Sequence, residues 1–218
     1  MAAKDHTVRV SGLAMSRTVA FIFAFIYVFQ SATIFYLLFE KYENEKLIQY
    51  QRSRIEQLEE KMKILDIIED FQTGMRPAEV GKLANVVYEQ SQKYGYDPLL
   101  LLALIQVESS FRKEVVSNKG AMGLMQMKPS VGSDVANRSG IDWYNRSTLM
   151  EPDYNVELGS RYLFELVIKF GDLKEAITAY NMGETRLRNI RRKDGNPSQV
   201  YLSKVLKKYR ELKEQYDA

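Results

Sequence analysis

Cysteine is absent from the 218 residues, and histidine occurs once, as His6 near the N-terminus. Without Cys the chain has no disulfide, no thiol nucleophile and no thiolate metal site. A lipid-bearing cysteine anchor is likewise not expected. Without His in the body of the chain, Ser–His triads, His-ligated zinc and papain-like sites are excluded. Any acid–base chemistry there must use carboxylates, Tyr or Lys. An excess of one charge is also missing. Lys and Arg total 31 against 28 Asp and Glu, and the net charge of +3 is too small to argue for nucleic acid. No nucleic-acid partner is expected. What is present, 45% hydrophobic and 27% charged residues, is the composition of a foldable chain. The length suits one domain with accessory segments.

Charge is wholly absent from Thr18 to Phe39. At 1.5 Å per residue a helical run of this length spans the ~30 Å hydrocarbon core of a bilayer. A cleaved signal would have a shorter apolar run with small residues before the cut. Here Ser31-Ala32 is followed by more apolar residues, and Gln30 is a poor cleavage position. The run therefore reads as an uncleaved single-pass anchor. Lys4, Arg9 and Arg17 precede it, while Glu40, Glu43 and Glu45 mix with Lys41 and Lys46 after it. By the positive-inside rule the N-terminus is cytoplasmic and the rest is exported. The expected organisation is a tail over 1–17, an anchor in the cytoplasmic (inner) membrane over 18–39, and a helical segment over 40–73. A domain over 74–218 lies on the periplasmic or extracytoplasmic side.

The segment from Glu40 to Phe71 lacks both Pro and Gly. Ile48, Ile55 and Met62 recur every seven residues, as do Leu58 and Leu65. They would form an a/d seam of about three heptads, interrupted by Gln51 and Glu69. Two readings stay open: a solvated helical stalk, or a short coiled coil that dimerises the chain. Gln72-Thr73-Gly74-Met75-Arg76-Pro77 breaks the helix.

Beyond Pro77 the pattern is helical nearly throughout, without strand-like alternation, so the fold class is all-α. One helix ends near Tyr94-Gly95. Asp97-Pro98 opens the next, with Asp as N-cap and Pro in the first helical position. That helix runs through Leu-Leu-Leu-Ala-Leu-Ile and ends around Glu108-Ser109-Ser110. Gly120, Gly123 and Pro129 punctuate a loop. Further helices are expected over 129–137, 155–170, 173–181 and 198–215. Glu108 thus closes a helix that is apolar on nearly every side. Desolvation there disfavours the charged carboxylate and raises its pKa, which suits a general acid.

The block Glu108-Ser109-Ser110-Phe111, then Ser117 through Gln126 with Gly-Leu-Met-Gln, then Pro129, resembles the family-1 lytic transglycosylases. Ala179-Tyr180-Asn181 resembles a further motif of these soluble-lytic-transglycosylase-like (SLT) domains, in the same order. The resemblance covers roughly Pro77 to Tyr209. It implies a lysozyme-like helical catalytic domain and a membrane-anchored peptidoglycan lytic transglycosylase. By it, Glu108 is the catalytic acid/base. Ser117 matches a serine near the sugar acetamido group, and Gln126 a glutamine lining the glycan groove. Tyr180 matches a tyrosine that closes the site, and Asn181 its neighbour. Two departures stand out. Lys128 replaces an apolar residue before the proline. Pro197-Ser198-Gln199 precedes Tyr201-Leu202 where the family often has Glu-Thr-Arg before Tyr-Val.

Ordinary glycosidases use two carboxylates, yet Glu114, Asp134 and Asp142, the next acids after Glu108, lie in no such motif. The resemblance implies a single-Glu reaction. Glu108 protonates the bond between N-acetylmuramic acid and N-acetylglucosamine, then takes the proton of the muramic C6 hydroxyl as it attacks C1. The product is 1,6-anhydro-N-acetylmuramic acid. No metal or cofactor is needed. A water-using muramidase and a non-catalytic peptidoglycan-binding envelope protein are the alternatives. The joint presence of Glu108, Gln126 and Tyr180 argues against the second. The expected partners are peptidoglycan strands and the inner membrane, with wall turnover, division and secretion machines all compatible. Weaker features are an S-x-x-K match at Ser110–Lys113 without its K-T-G companion, and the basic stretch Arg186–Lys193. The latter reads as a solvated helix face or as a surface for anionic glycan peptides, phospholipid or a partner.

Overall fold

A computed structural model describes residues 16–216. Lys4 and Arg9, on which the orientation argument partly rests, lie outside the described residues, as does His6. The chain divides into two units, Met1–Ile55 and Glu56–Ala218. Helix α1, Arg17–Phe71, contributes to both. In the first unit its apolar side chains are exposed, among them Phe21, Phe25, Phe29 and Phe35. Among the described residues α1 is the one helix long and apolar enough to cross a membrane.

The second unit begins well before the expected boundary at residue 74. Ile64, Ile67 and Ile68 of α1 are buried in its core. Their i, i+3, i+4 spacing is that of a helix face packed on a globular core. The heptad positions Ile55, Leu58 and Met62 are exposed instead. The last turns of the supposed stalk therefore belong to the compact unit.

The rest of that unit is helical: α2 Pro77–Tyr94, α3 Pro98–Ser109, α4 Pro129–Ser139, α5 Pro152–Phe170, α6 Leu173–Met182, α7 Glu184–Arg192 and α8 Val200–Tyr216. A 3₁₀ turn spans Arg146–Met150. Among the described residues there is no strand, only the isolated bridges Val116–Met122 and Met122–Met127. The ends of α2 and α3 follow their sequence signals. Gly95 closes α2 with φ 68, a left-handed conformation that favours glycine. Asp97 caps α3 by accepting from the Leu99 N–H at 2.9 Å. Helix α5 starts at Pro152, a turn earlier than expected, because proline suits a first helical position.

Helix α3 is the centre of the fold, and every residue from Leu99 to Ile105 is buried. Helix α8 runs antiparallel along it and is fixed by tyrosine hydroxyls. Tyr209 donates to Asp97 at the start of α3, and Tyr216 donates to Asp70 near the end of α1, each at 2.5 Å. A smaller apolar cluster of Met122, Met127, Val135 and Leu149 sits under the loop that follows α3. Trp143 packs against this cluster.

Candidate active site

A core helix of this kind delivers its last turn to the surface at a fixed place. In α3 that turn carries Glu108, which is half-buried. The chain then reverses sharply. Ser110 and Phe111 both take positive φ, 53° and 58°, and buried Phe111 stacks on Phe71 with centroids 6.0 Å apart. Lys113 ties this turn to the start of α2, with Nζ 2.6 Å from Glu79. Glu79 also accepts from the Arg76 N–H at 2.8 Å. The bond from Lys113 is the chief reason its pKa falls to about 2. Lys113 is thereby engaged away from Ser110, which leaves the S-x-x-K match without its base.

The loop after the turn is pinned from behind. Buried Asn155 of α5 accepts from the Met125 N–H at 2.6 Å and donates to the Met122 and Leu149 carbonyls at 2.9 Å each. Gly123, φ 77°, passes so close that a Cβ would lie 2.1 Å from the Leu149 oxygen and 2.3 Å from Asn155 Nδ2. Ser117 closes the tip of the loop, its Oγ accepting from the Ala121 N–H at 2.9 Å. Gln126 spends both amide hydrogens on the Val115 and Gly123 carbonyls, at 3.0 and 2.9 Å. Only its Oε1 is left to receive a ligand. Tyr180 of α6 donates to the Met125 carbonyl at 2.9 Å and lies against Tyr162, with ring centroids 5.4 Å apart.

Glu108, Ser117, Gln126, Tyr180 and Asn181 all line one cleft of about 420 Å³. The five candidate residues are thus brought together from α3, the loop and α6. Glu108 is the sole carboxyl among the lining residues; Glu114, Asp134 and Asp142 are not among them. Burial pushes the Glu108 carboxyl up to about 7, although a hydrogen bond from Tyr201 works in the opposite direction. The last turn of a helix, where carbonyl dipoles point outward, also disfavours an anion. Tyr180 and Tyr201 are driven well above their ordinary values, chiefly by burial and next by the Glu108 charge. Both therefore stay neutral across the physiological range. Among the described residues, no group of His, Asp or Glu is arranged to hold a metal.

Two residues of consequence escape the motif reading. Tyr201 donates to Glu108 Oε1 at 2.5 Å from a position 93 residues away in sequence. Its signal was the Tyr-Leu pair that stands where the family has Tyr-Val. Asn155 had no signal, because its partners are carbonyls and an N–H of distant loops. The basic stretch resolves into separate faces. Arg188 pairs with Glu184 and Arg191 with Glu175, while Arg186 turns to the cleft.

The family model described as "Transglycosylase SLT domain" matches residues 85–203. The "Membrane-bound lytic murein transglycosylase C" of Sodalis glossinidius (strain morsitans) is 36% identical over 141 residues, covering 55% of this chain and 39% of that protein. The protein of the same name from Klebsiella pneumoniae (strain 342) is 43% identical over 86 residues, covering 38% of this chain and 23% of that one. The chain thus spans less than half the length of these curated relatives. The lytic transglycosylase Slt of Pseudomonas aeruginosa superposes with a TM-score of 0.55 at 24% identity, over 62% of this chain and 24% of that one. The 70 kDa soluble lytic transglycosylase of Escherichia coli gives 0.54 at 22% identity, over 60% and 24%. The likeness to these two structures is one of fold.

Proposed function

The chain belongs to the transglycosylase SLT domain family, and from that premise we propose that it is a membrane-anchored lytic transglycosylase of peptidoglycan. The observation that carries this reading is Glu108: one carboxyl in a glycan-sized cleft, held at a pKa of about 7. Near neutral pH a large share of it is protonated and can act as a general acid. It gives its proton to the oxygen of the muramyl–glucosaminyl bond as that bond breaks. The positive charge growing on C1 is met by the sugar's own acetamido oxygen. Glu108, now a carboxylate, takes the proton of the C6 hydroxyl, whose oxygen closes on C1. The proton lost in the first half is regained in the second, and no water is consumed. Tyr201 holds Oε1 through both halves, which leaves Oε2 for the substrate. In this role Tyr201 positions Glu108. Ser117, Gln126, Tyr180 and Asn181 line the groove and seat the sugars.

The uncharged run over 18–39 serves as the anchor, with the N-terminus cytoplasmic and the Glu56–Ala218 unit outside. The relatives from Sodalis glossinidius and Klebsiella pneumoniae are named as membrane-bound, which agrees with an anchored protein. The exposed Ile48, Ile55 and Met62 leave the seam open to a second copy, which sedimentation in detergent would read as a dimer mass.

The test is digestion of purified sacculi by the full chain in detergent micelles. The proposal expects soluble muropeptides whose new ends carry no reducing power. New reducing ends in proportion to cleavage would mean a muramidase, and binding without release would mean a non-catalytic grip.

Tyr201→Phe gives a second check. The lost hydrogen bond had stabilised the carboxylate, so the Glu108 pKa should rise further. The alkaline limb of the rate profile should then move up by about one pH unit. A limb that stays or moves down would contradict the assigned bond.

A further inference from the structure

Next to the cleft lies a second hollow of about 500 Å³, and Lys119 and Lys128 line both. The hollow adds Arg146 from the 3₁₀ turn, and the cleft adds Arg186 from α7. Four cations therefore border the two adjacent hollows. The only acid among the lining residues is Glu108, one carboxyl against four cations, and burial raises its pKa so that it is only partly ionised near neutral pH. None of the four cations has a carboxylate within ion-pair distance among the described residues. Lys113, Arg138, Lys169, Arg188 and Arg191 are each paired with a glutamate. Uncompensated charge of one sign in a concave surface focuses the field and attracts the opposite charge.

Sugar rings of a glycan strand are neutral. Its negative charge sits on the muramyl side branch, in the free carboxylates of the peptide attached there. A strand seated on Glu108 would have such a branch within reach of the adjoining hollow. We infer that the hollow lined by Lys119, Lys128 and Arg146 is a carboxylate-binding site for the acidic peptide branch of N-acetylmuramic acid, so that the protein prefers strands whose branches carry free carboxylates. The inference rests on the reading of the Glu108 cleft as a glycan site. Lys128, which departs from the usual apolar residue there, becomes a specificity-determining residue. An anionic membrane surface fits less well, because these cations line a hollow that shares Lys119 and Lys128 with the cleft.

The experiment measures binding, so that it stands apart from turnover. The full chain carrying Glu108→Gln, in detergent micelles, is sedimented with purified sacculi at low salt. A parallel sample uses the same sacculi after carbodiimide coupling to ammonia, which converts free carboxylates to amides. Amidation should weaken binding by about tenfold or more, and that difference should shrink as salt is raised. The triple variant Lys119→Gln, Lys128→Gln, Arg146→Gln should bind both preparations alike, at the level of the amidated sample. The charge-preserving set K119R, K128R, R146K should restore the preference, which separates loss of charge from loss of fold. The inference is overturned if the triple variant keeps the native-to-amidated ratio, or if it loses affinity for both preparations equally. It is also overturned if the only loss is in binding to vesicles of anionic phospholipid. A wild-type chain that binds with this preference but releases no muropeptide would sink the proposed reaction and leave the carboxylate site standing.

Discussion

Glu108→Gln is expected to slow release of muropeptides from sacculi by about 10²–10⁴-fold, and to leave the fold intact. The amide has nearly the same shape and can still accept from Tyr201. It cannot give up a proton to the glycosidic oxygen or take one from the C6 hydroxyl. The same substitution should change stability with pH in a defined direction. The Glu108 pKa is raised from 4.5 to about 7 in the folded protein. A group raised in this way contributes stability that is fully present below 4.5 and is lost as pH rises through 7. At 1.36 kcal/mol per pH unit the loss amounts to roughly 3 kcal/mol. Glutamine does not ionise and escapes it. Thermal melts of the full chain in detergent should therefore show the variant gaining on the wild type between pH 4 and pH 8.5. Parallel melting curves at both pH values would mean that Glu108 is well solvated and has an ordinary pKa. Stability sacrificed at one carboxyl is what a general acid working near pH 7 requires.

Gly123→Ala should be the most damaging small change in the loop. Its backbone has φ 77°, and the added methyl would lie 2.1 Å from the Leu149 carbonyl oxygen and 2.3 Å from Asn155 Nδ2. Neither neighbour can retreat easily. The first is backbone, and the second is bonded to the Met122 and Leu149 carbonyls. A loss of about 4 kcal/mol or more is expected, with a fall in Tm of roughly 10 °C for a unit of this size. Cleavage should fall with it, since Ser117 and Gln126 are placed by the same loop. Gly120→Ala provides the contrast. Its φ is 74°, but nothing stands within 4 Å of the added carbon. It should cost about 1 kcal/mol and keep the loop in place. Equal melting of the two variants would contradict the packing behind Gly123.

Which features were legible in the sequence follows from how local their causes are. The bounds of α2 and α3 were readable because Pro77, Gly95, Asp97 and Pro98 act on their own neighbours. Glu108, Ser117, Gln126, Tyr180 and Asn181 were readable as motif positions, and all five line one cleft. The end of the stalk was not readable. The seven-residue spacing of Ile48, Ile55 and Met62 competed with the tighter Ile64, Ile67, Ile68 stripe, and only packing against the other helices decides between them. A fragment starting at Pro77 would strip those three isoleucines from the core, so the full chain is the proper material for the tests above. Asn155 and Tyr201 act through partners up to 93 residues away, and no local pattern announces such bonds. The split of the basic stretch was hidden for the same reason, because Glu175 and Glu184 claim two of its arginines and leave Arg186 to the cleft.

Cleavage by one carboxyl without water is tested most directly by digesting sacculi with the full chain in ¹⁸O-labelled water and weighing the muropeptides. Glu108 acting first as acid and then as base predicts products lighter by one water than hydrolytic muropeptides, with no ¹⁸O at C1 of the muramyl end. Products that carry ¹⁸O at that carbon, or undiminished cleavage by the Glu108→Gln chain, would contradict it.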